Sequence, residues 1–227
     1  MMKALLALLL MLFGLAAAPA APQRDWTKAV ATLPSGAIVI GNPQAKVKLV
    51  EYTSMTCPHC AHFAKEGLPA LMAGYVAPGK ASIELRHAVR DPYDLAASLL
   101  VRCAGPAAYL PAMEAVFAAQ DAWMGRAMKM TPAEIEAVQK QSRADQLVTV
   151  SRTIGLLSLM QARGLAEPKA VACLKSEPEQ QKLAAMANEA WSERKIPGTP
   201  AFLLNGTIVA DAADWAALKP RLDAALR

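Results

Sequence analysis

The stretch Met55-Thr-Cys-Pro-His-Cys60 leaves few folds open to this chain. It directly follows the hydrophobic run Val47-Lys-Leu-Val-Glu-Tyr52 and heads an apolar helical pattern that reaches about Ala73. Cys57 falls at a helix N-cap position and Pro58 at the first helical one, where a fixed φ and a missing N–H cost nothing. At helical spacing Cys60 shares a face with Ala64, Leu68 and Leu71, the face suited to packing on a sheet. That spacing predicts Cys60 pointing inward and Cys57 outward.

The chemistry follows from the position. Unpaired N–H groups and the positive end of the helix dipole favour a negative sulfur at Cys57, and His59 can add a donor or a charge. A stabilised thiolate stabilises the reduced pair, which makes a Cys57–Cys60 disulfide a ready electron acceptor. A substrate thiolate would attack Cys57, form a mixed disulfide and be resolved by a second substrate thiol; the buried Cys60 would release substrates trapped on Cys57. Zinc is the competing reading of any C-x-x-C. A structural zinc site wants four ligands at paired spacings, and this sequence has no second C-x-x-C. No metal site is therefore expected.

The 227 residues, 54% of them hydrophobic, suffice for one well-packed domain with an inserted subdomain. Lys3, the apolar run Ala4–Leu15 and Ala16-Ala-Ala-Pro-Ala20 read as a secretory signal peptide over residues 1–20, cut after Ala20, with an uncleaved anchor as the alternative. Export predicts an oxidising compartment in which disulfides persist. Losing Lys3 leaves 23 basic residues against 19 acidic, a net +4, and no basic run or aromatic-basic pattern points to nucleic acid.

Taken in order, residues 21–34 form a short leader with one helical turn at Trp26–Leu33. Gly36–Ile40 and Val47–Tyr52 are strands around the turn Gly41-Asn42-Pro43. Glu51 interrupts the second strand. It is either an outward-facing strand residue or a partly buried carboxylate beneath the cysteines, able to relay a proton to or from Cys60. Pro69 should kink the helix without ending it, and Gly74 with Pro78-Gly79 should stop it. Ala81–Val89 alternates as a third strand, parallel to the one before, and His87 reads as a strand-end or core histidine.

From Asp91 to about Lys195 only helical stretches are predicted: 94–104, 107–120, one opening at Thr131 with a capping box, 145–163, 168–175 and 177–194. Met124, Met128 and Met130 could bind copper, although core or groove packing is the commoner use of such a cluster. Cys103 and Cys173 both lie on apolar helical faces in this region and read as a structural disulfide, the alternative being two buried thiols. After Ile196-Pro-Gly-Thr-Pro200, two apolar runs flank Asn205-Gly206 as a hairpin, and a last helix from Asp211 or Ala212 to Leu226 carries Trp215, Leu218 and Leu222. Pro200 at a strand start permits a cis peptide that would present the Thr199 backbone to a substrate.

Strand, C-x-x-C helix, strand, helical insert, Gly-Thr-Pro, hairpin and helix together resemble the DsbA-like branch of the thioredoxin superfamily across nearly all of the chain after residue 20. Cys57-Pro58-His59-Cys60 is identical to the tetrapeptide of DsbA oxidases, Glu51 matches the family's buried acidic residue, and Thr199-Pro200 matches its cis-proline loop. The resemblance implies an α/β thioredoxin-like fold, a mixed central sheet flanked by helices with an inserted all-helical subdomain. The corresponding boundaries are 21–90 and 181–227 for the thioredoxin-like parts and 91–180 for the insertion. It also implies a periplasmic oxidase that passes its disulfide to reduced exported proteins, needs no cofactor, and is reoxidised by a DsbB-type quinone-linked membrane protein. The Cys103–Cys173 pair looks like the second disulfide of some DsbA relatives. Thr199 stands where the best-known oxidases have Val and DsbC-like isomerases have Thr, so an isomerase or reductase is the alternative, with a copper-binding periplasmic thioredoxin-like protein using Cys57, Cys60 and the methionines a more distant one. Those isomerases are dimers built on a separate N-terminal domain, for which residues 21–36 leave no room, and a monomer is expected.

Overall fold

A computed structural model describes residues 24–227; the signal-peptide expectation lies outside these residues. Six strands form one sheet: β1 (Val30–Thr32), β2 (Ile38–Gly41), β3 (Val47–Thr53), β4 (Ala81–His87), β5 (Ala201–Leu204) and β6 (Thr207–Ile208), in the spatial order β1-β2-β4-β3-β5-β6. Only β3 and β4 pair in parallel, with Thr53 opposite His87 and Glu51 opposite Leu85; the other pairs are antiparallel. The parallel pair requires a crossover. That crossover is α1 (Pro58–Leu71), extended by a π turn over Met72–Val76.

The central strand is covered on both faces, which is why strict alternation fails at its end and Glu51, Tyr52 and Thr53 are all buried. On one face α1 lays down Cys60, Phe63, Ala64, Gly67, Leu68 and Leu71. Phe63 packs on Phe202 of β5 with ring centroids 4.8 Å apart. A Cβ at Gly67 would meet the Phe63 ring at 2.5 Å, so this turn of the helix admits only glycine without a shift. On the other face Tyr52, Ala201 and Leu203 pack with Ala190 and Ile196.

The helical region contains α2 (Pro92–Cys103), α3 (Tyr109–Ala118), α4 (Gln120–Met128), α5 (Pro132–Gln139), α6 (Arg143–Thr153), α7 (Leu156–Gln161), α8 (Glu167–Leu174) and α9 (Glu177–Asn188); α10 (Trp215–Leu226) closes the chain. α2 is the hub, packed against α3, α6, α8 and α9. Cys103 of α2 and Cys173 of α8 are joined as a disulfide across 70 positions. Among the described residues no single helix is long and apolar enough to cross a membrane.

Several boundaries depart from expectation. The segment 26–33 makes only a 3-10 turn over Trp26–Lys28, capped by the Asp25 side chain, and then Val30–Thr32 pairs with β2. An open sheet edge beside a β-branched run outweighs weak local helix preference. Gly74 does not stop α1, since it lies inside the π turn; the stop comes at Gly79, with φ 79°. The expected 145–163 helix is broken at Gly155, whose φ of 81° separates α6 from α7. α4 is an additional helix, covering most of the methionine stretch, and Met124 and Met130 pack against the core while Met128 stays exposed. β4 ends at His87 and β6 has two residues. The capping box at Thr131 and the Asn205-Gly206 turn are present as read.

Closing a loop of 70 positions lowers the entropy of the unfolded chain, worth on the order of 4 kcal/mol in the chain-entropy model. Replacing both Cys103 and Cys173 by Ala is expected to lower stability by up to about that amount in denaturant unfolding. An unchanged unfolding midpoint would contradict it.

Candidate active site

Cys57 is the N-cap of α1 and Pro58 its first residue. No amide of the first turn closes a hydrogen bond on the Cys57 sulfur, yet the N–H groups of His59 and Cys60 face it and favour the anion. The thiol of Cys60 is the largest influence. As a donor to Cys57 it leads the set that brings the Cys57 pKa down to about 4, against the opposing pull of burial. Cys60 is fully buried, and burial pushes its own thiol well up. The Ser54 N–H points at the Cys60 sulfur from 3.5 Å. One sulfur is thus readily ionised while its neighbour keeps its proton.

The outward position expected for Cys57 needs correction, because the residue is only 3% exposed. Its cover comes from the far end of the chain. The Thr199–Pro200 peptide is cis, and the Thr199 carbonyl oxygen lies 3.1 Å from the Cys57 sulfur, where it accepts from the thiol. That carbonyl serves the protonated form, whereas the Thr199 hydroxyl, which has no other partner, favours the thiolate. The loop therefore offers one group to each state of the sulfur. Its carbonyl also places a backbone acceptor beside the Cys57 sulfur.

Glu51 is 2% exposed, which excludes the outward-facing alternative. Its Oε2 has no hydrogen-bond partner, and burial raises its pKa to about 8, so the carboxyl is protonated at neutral pH. The Thr53 hydroxyl adjoins both groups, favouring ionisation of the Glu51 carboxyl and of the Cys60 thiol while making no formed hydrogen bond of its own. His59 is exposed, and its contribution here is its backbone N–H. His87 is buried and neutral, with its pKa driven down to about 3 by desolvation, and it pairs through Nε2 with the Tyr109 hydroxyl at 2.8 Å.

The structure brings together Cys57, Cys60, Thr199 and Pro200 at one largely buried point, with Glu51 behind them in β3. It adds residues that sequence reading missed. Thr53 has a period-two relation to Glu51 that could have flagged it. Gln120, buried at the head of α4, donates from Nε2 to the carbonyls of Met55 (2.8 Å) and Cys57 (3.0 Å). Nothing local in the sequence signals that contact. Among the described residues no three His, Cys, Asp or Glu side chains converge as a metal site would require.

A family model described as Thioredoxin matches residues 34–224. The chain belongs to the thioredoxin family. Within that family its fold is DsbA-like. It superposes on the protein-disulfide isomerase from Novosphingobium aromaticivorans with TM-score 0.81 and 35% identity, covering 86% of this chain and all of that one. It superposes on Wolbachia pipientis α-DsbA1 with TM-score 0.65 and 21% identity, covering 88% and 96% of the two chains, a likeness of fold. Among curated relatives, a Rickettsia typhi protein provisionally named a protein-disulfide oxidoreductase is 29% identical over 181 residues, 79% of this chain and 58% of the relative. A similarly named Rickettsia prowazekii protein is 28% identical, covering 82% of this chain and 60% of its own length. The chain thus spans somewhat over half the length of the curated relatives it matches.

Glu51 yields a pH test. Its carboxyl ionises near 4.5 when unfolded and near 8 when folded, so the folded state loses stability as pH rises through that window and is unaffected below it. Glu51→Gln removes the dependence. Relative to the parent, its stability should rise between pH 4 and pH 8 by roughly a few kcal/mol, read from thermal or denaturant unfolding at both pH values. A constant difference would mean Glu51 ionises normally in place.

Proposed function

We propose that this protein is a periplasmic thiol:disulfide oxidoreductase that works as an oxidase, donating a Cys57–Cys60 disulfide to reduced exported proteins. The observation that carries this reading is the split between the two sulfurs, with Cys57 held as a thiolate at the head of α1 and Cys60 held as a thiol beneath it. A sulfur that leaves as a stable thiolate favours reduction of the pair and oxidation of the substrate.

A substrate thiolate attacks the Cys57 sulfur of the disulfide, forming a mixed disulfide as the Cys57–Cys60 bond breaks and Cys60 departs with the electron pair. Cys60 then takes up a proton, for which the buried, protonated Glu51 carboxyl is the source, with the Thr53 hydroxyl adjoining both groups. A second substrate thiolate attacks the first substrate sulfur and releases Cys57 as its thiolate. Two electrons pass from substrate to protein, and the Thr199 backbone beside Cys57 is placed to hold the substrate strand. Pro58 and His59 set the helix start, and a quinone-linked membrane protein of the DsbB type would restore the disulfide. Export rests on the basic, then apolar, then small-residue pattern of residues 1–20.

A second reading, disulfide isomerisation, is favoured by Thr199 before Pro200 and by the description of the Novosphingobium neighbour as an isomerase. The two readings differ in whether the resting pair in the cell is oxidised or reduced.

Cys57→Ser is expected to abolish exchange with a reduced substrate protein. Cys60→Ala, which cannot release trapped partners, should accumulate mixed disulfides on Cys57, visible as reducible adducts on non-reducing gels. If Cys60→Ala accumulates none while folded, exchange through Cys57 is contradicted.

A further inference from the structure

A fully buried carboxylate, Asp94, sits in the first turn of α2, and the exchange steps above do not use it. It is not the cap of its own helix, because Asp91 takes that place and accepts the Asp94 N–H at 2.8 Å. Its two oxygens instead gather four donors, three of them outside α2. Oδ2 accepts from the Ser54 hydroxyl at 2.6 Å and the Arg90 N–H at 3.3 Å; Oδ1 accepts from the Met55 N–H at 2.8 Å and the Ser98 hydroxyl at 3.3 Å. Burying a carboxylate is costly unless its acceptor sites are filled, and here the two shortest of the four contacts come from the loop that leads into Cys57.

Ser54 is the residue through which this anchoring reaches the sulfurs. Its N–H faces the Cys60 sulfur at 3.5 Å, its carbonyl accepts the Cys57 N–H at 3.1 Å, and its hydroxyl is held by Asp94. Thr56, next to Cys57, is tied to the same helix start through Asp91 Oδ2 at 2.7 Å. We propose that Asp94 is a positioning residue for the cysteine pair: it fixes Ser54 so that the amide aimed at Cys60 and the turn that ends at Cys57 keep the geometry of the dithiol, shifting the dithiol–disulfide balance toward the reduced form. The proposal rests on the exchange reading given above.

The test is the equilibrium of the Cys57–Cys60 pair with reduced and oxidised glutathione, measured on the full chain by alkylation and mass of the active-site peptide. Asp94→Ala should move the equilibrium constant toward the disulfide by about tenfold, roughly 30 mV. Ser54→Ala, which keeps the amide and carbonyl but loses the anchor, should move it in the same direction by a smaller factor. Asp94→Asn, which retains an oxygen for Met55, should fall between Asp94→Ala and the parent. The double variant Ser54→Ala/Asp94→Ala should shift no further than Asp94→Ala alone, as residues acting in one chain of contacts do. Should Asp94→Ala fail to fold, Ser54→Ala decides the matter. Variants that melt earlier yet keep the constant within twofold of the parent would overturn the proposal, leaving Asp94 a support of the fold. If the unsubstituted pair itself fails to equilibrate with glutathione, the exchange reading falls, an outcome distinct from an unshifted variant.

Discussion

Stabilisation of a negative sulfur at the head of α1 is the constraint around which the site is built. An isolated thiol gains little from a helix terminus alone, because the dipole is worth only about 0.3–1 kcal/mol at an exposed end. Here the dipole acts together with the Cys60 thiol, two first-turn amides and the Thr199 hydroxyl in a site nearly closed to water. Exclusion of water strengthens each of these contacts. It also raises the cost of ionisation at Cys60, which no comparable set of donors offsets, so the two sulfurs separate in acidity although they share one helical turn.

That arrangement needs a rigid frame, and the fold supplies it from three directions. The sheet places Glu51 and Thr53 under the cysteines through β3, whose burial on both faces leaves their side chains no solvent to turn to. The helical region contributes Gln120 from α4 and Asp94 from α2, both directed at backbone groups of residues 54–57. The C-terminal part brings the Thr199–Pro200 loop over Cys57. The insertion is therefore part of the site's construction: two of its buried polar side chains hold the loop that carries Cys57.

What the sequence revealed and what it hid divides by range. The start of α1 at Cys57-Pro58, the capping box at Thr131 and the Asn205-Gly206 turn are governed by neighbours a few positions away, and the chain pattern predicts them. The edge strand Val30–Thr32 escaped because its conformation is decided by β2, a partner rather than a propensity. The inward cover over Cys57 escaped because it arrives from 142 positions downstream. Asp94 reads in sequence as an ordinary acidic residue at a helix start; only the packing of α2 against residues 54–56 turns its carboxylate into their anchor. Glu51 could be narrowed to two alternatives by pattern, and the second face of the sheet decided between them.

The decisive measurement is the titration of the Cys57 thiolate in the reduced protein, followed by ultraviolet absorbance of the thiolate and checked by the pH dependence of alkylation. Ionisation far below neutrality, near 4, is expected, with Cys60 remaining protonated through the same range. An ionisation near the ordinary thiol value of about 8.5 would contradict this, since the reduced pair would then lack the stabilisation on which the proposed oxidase role depends.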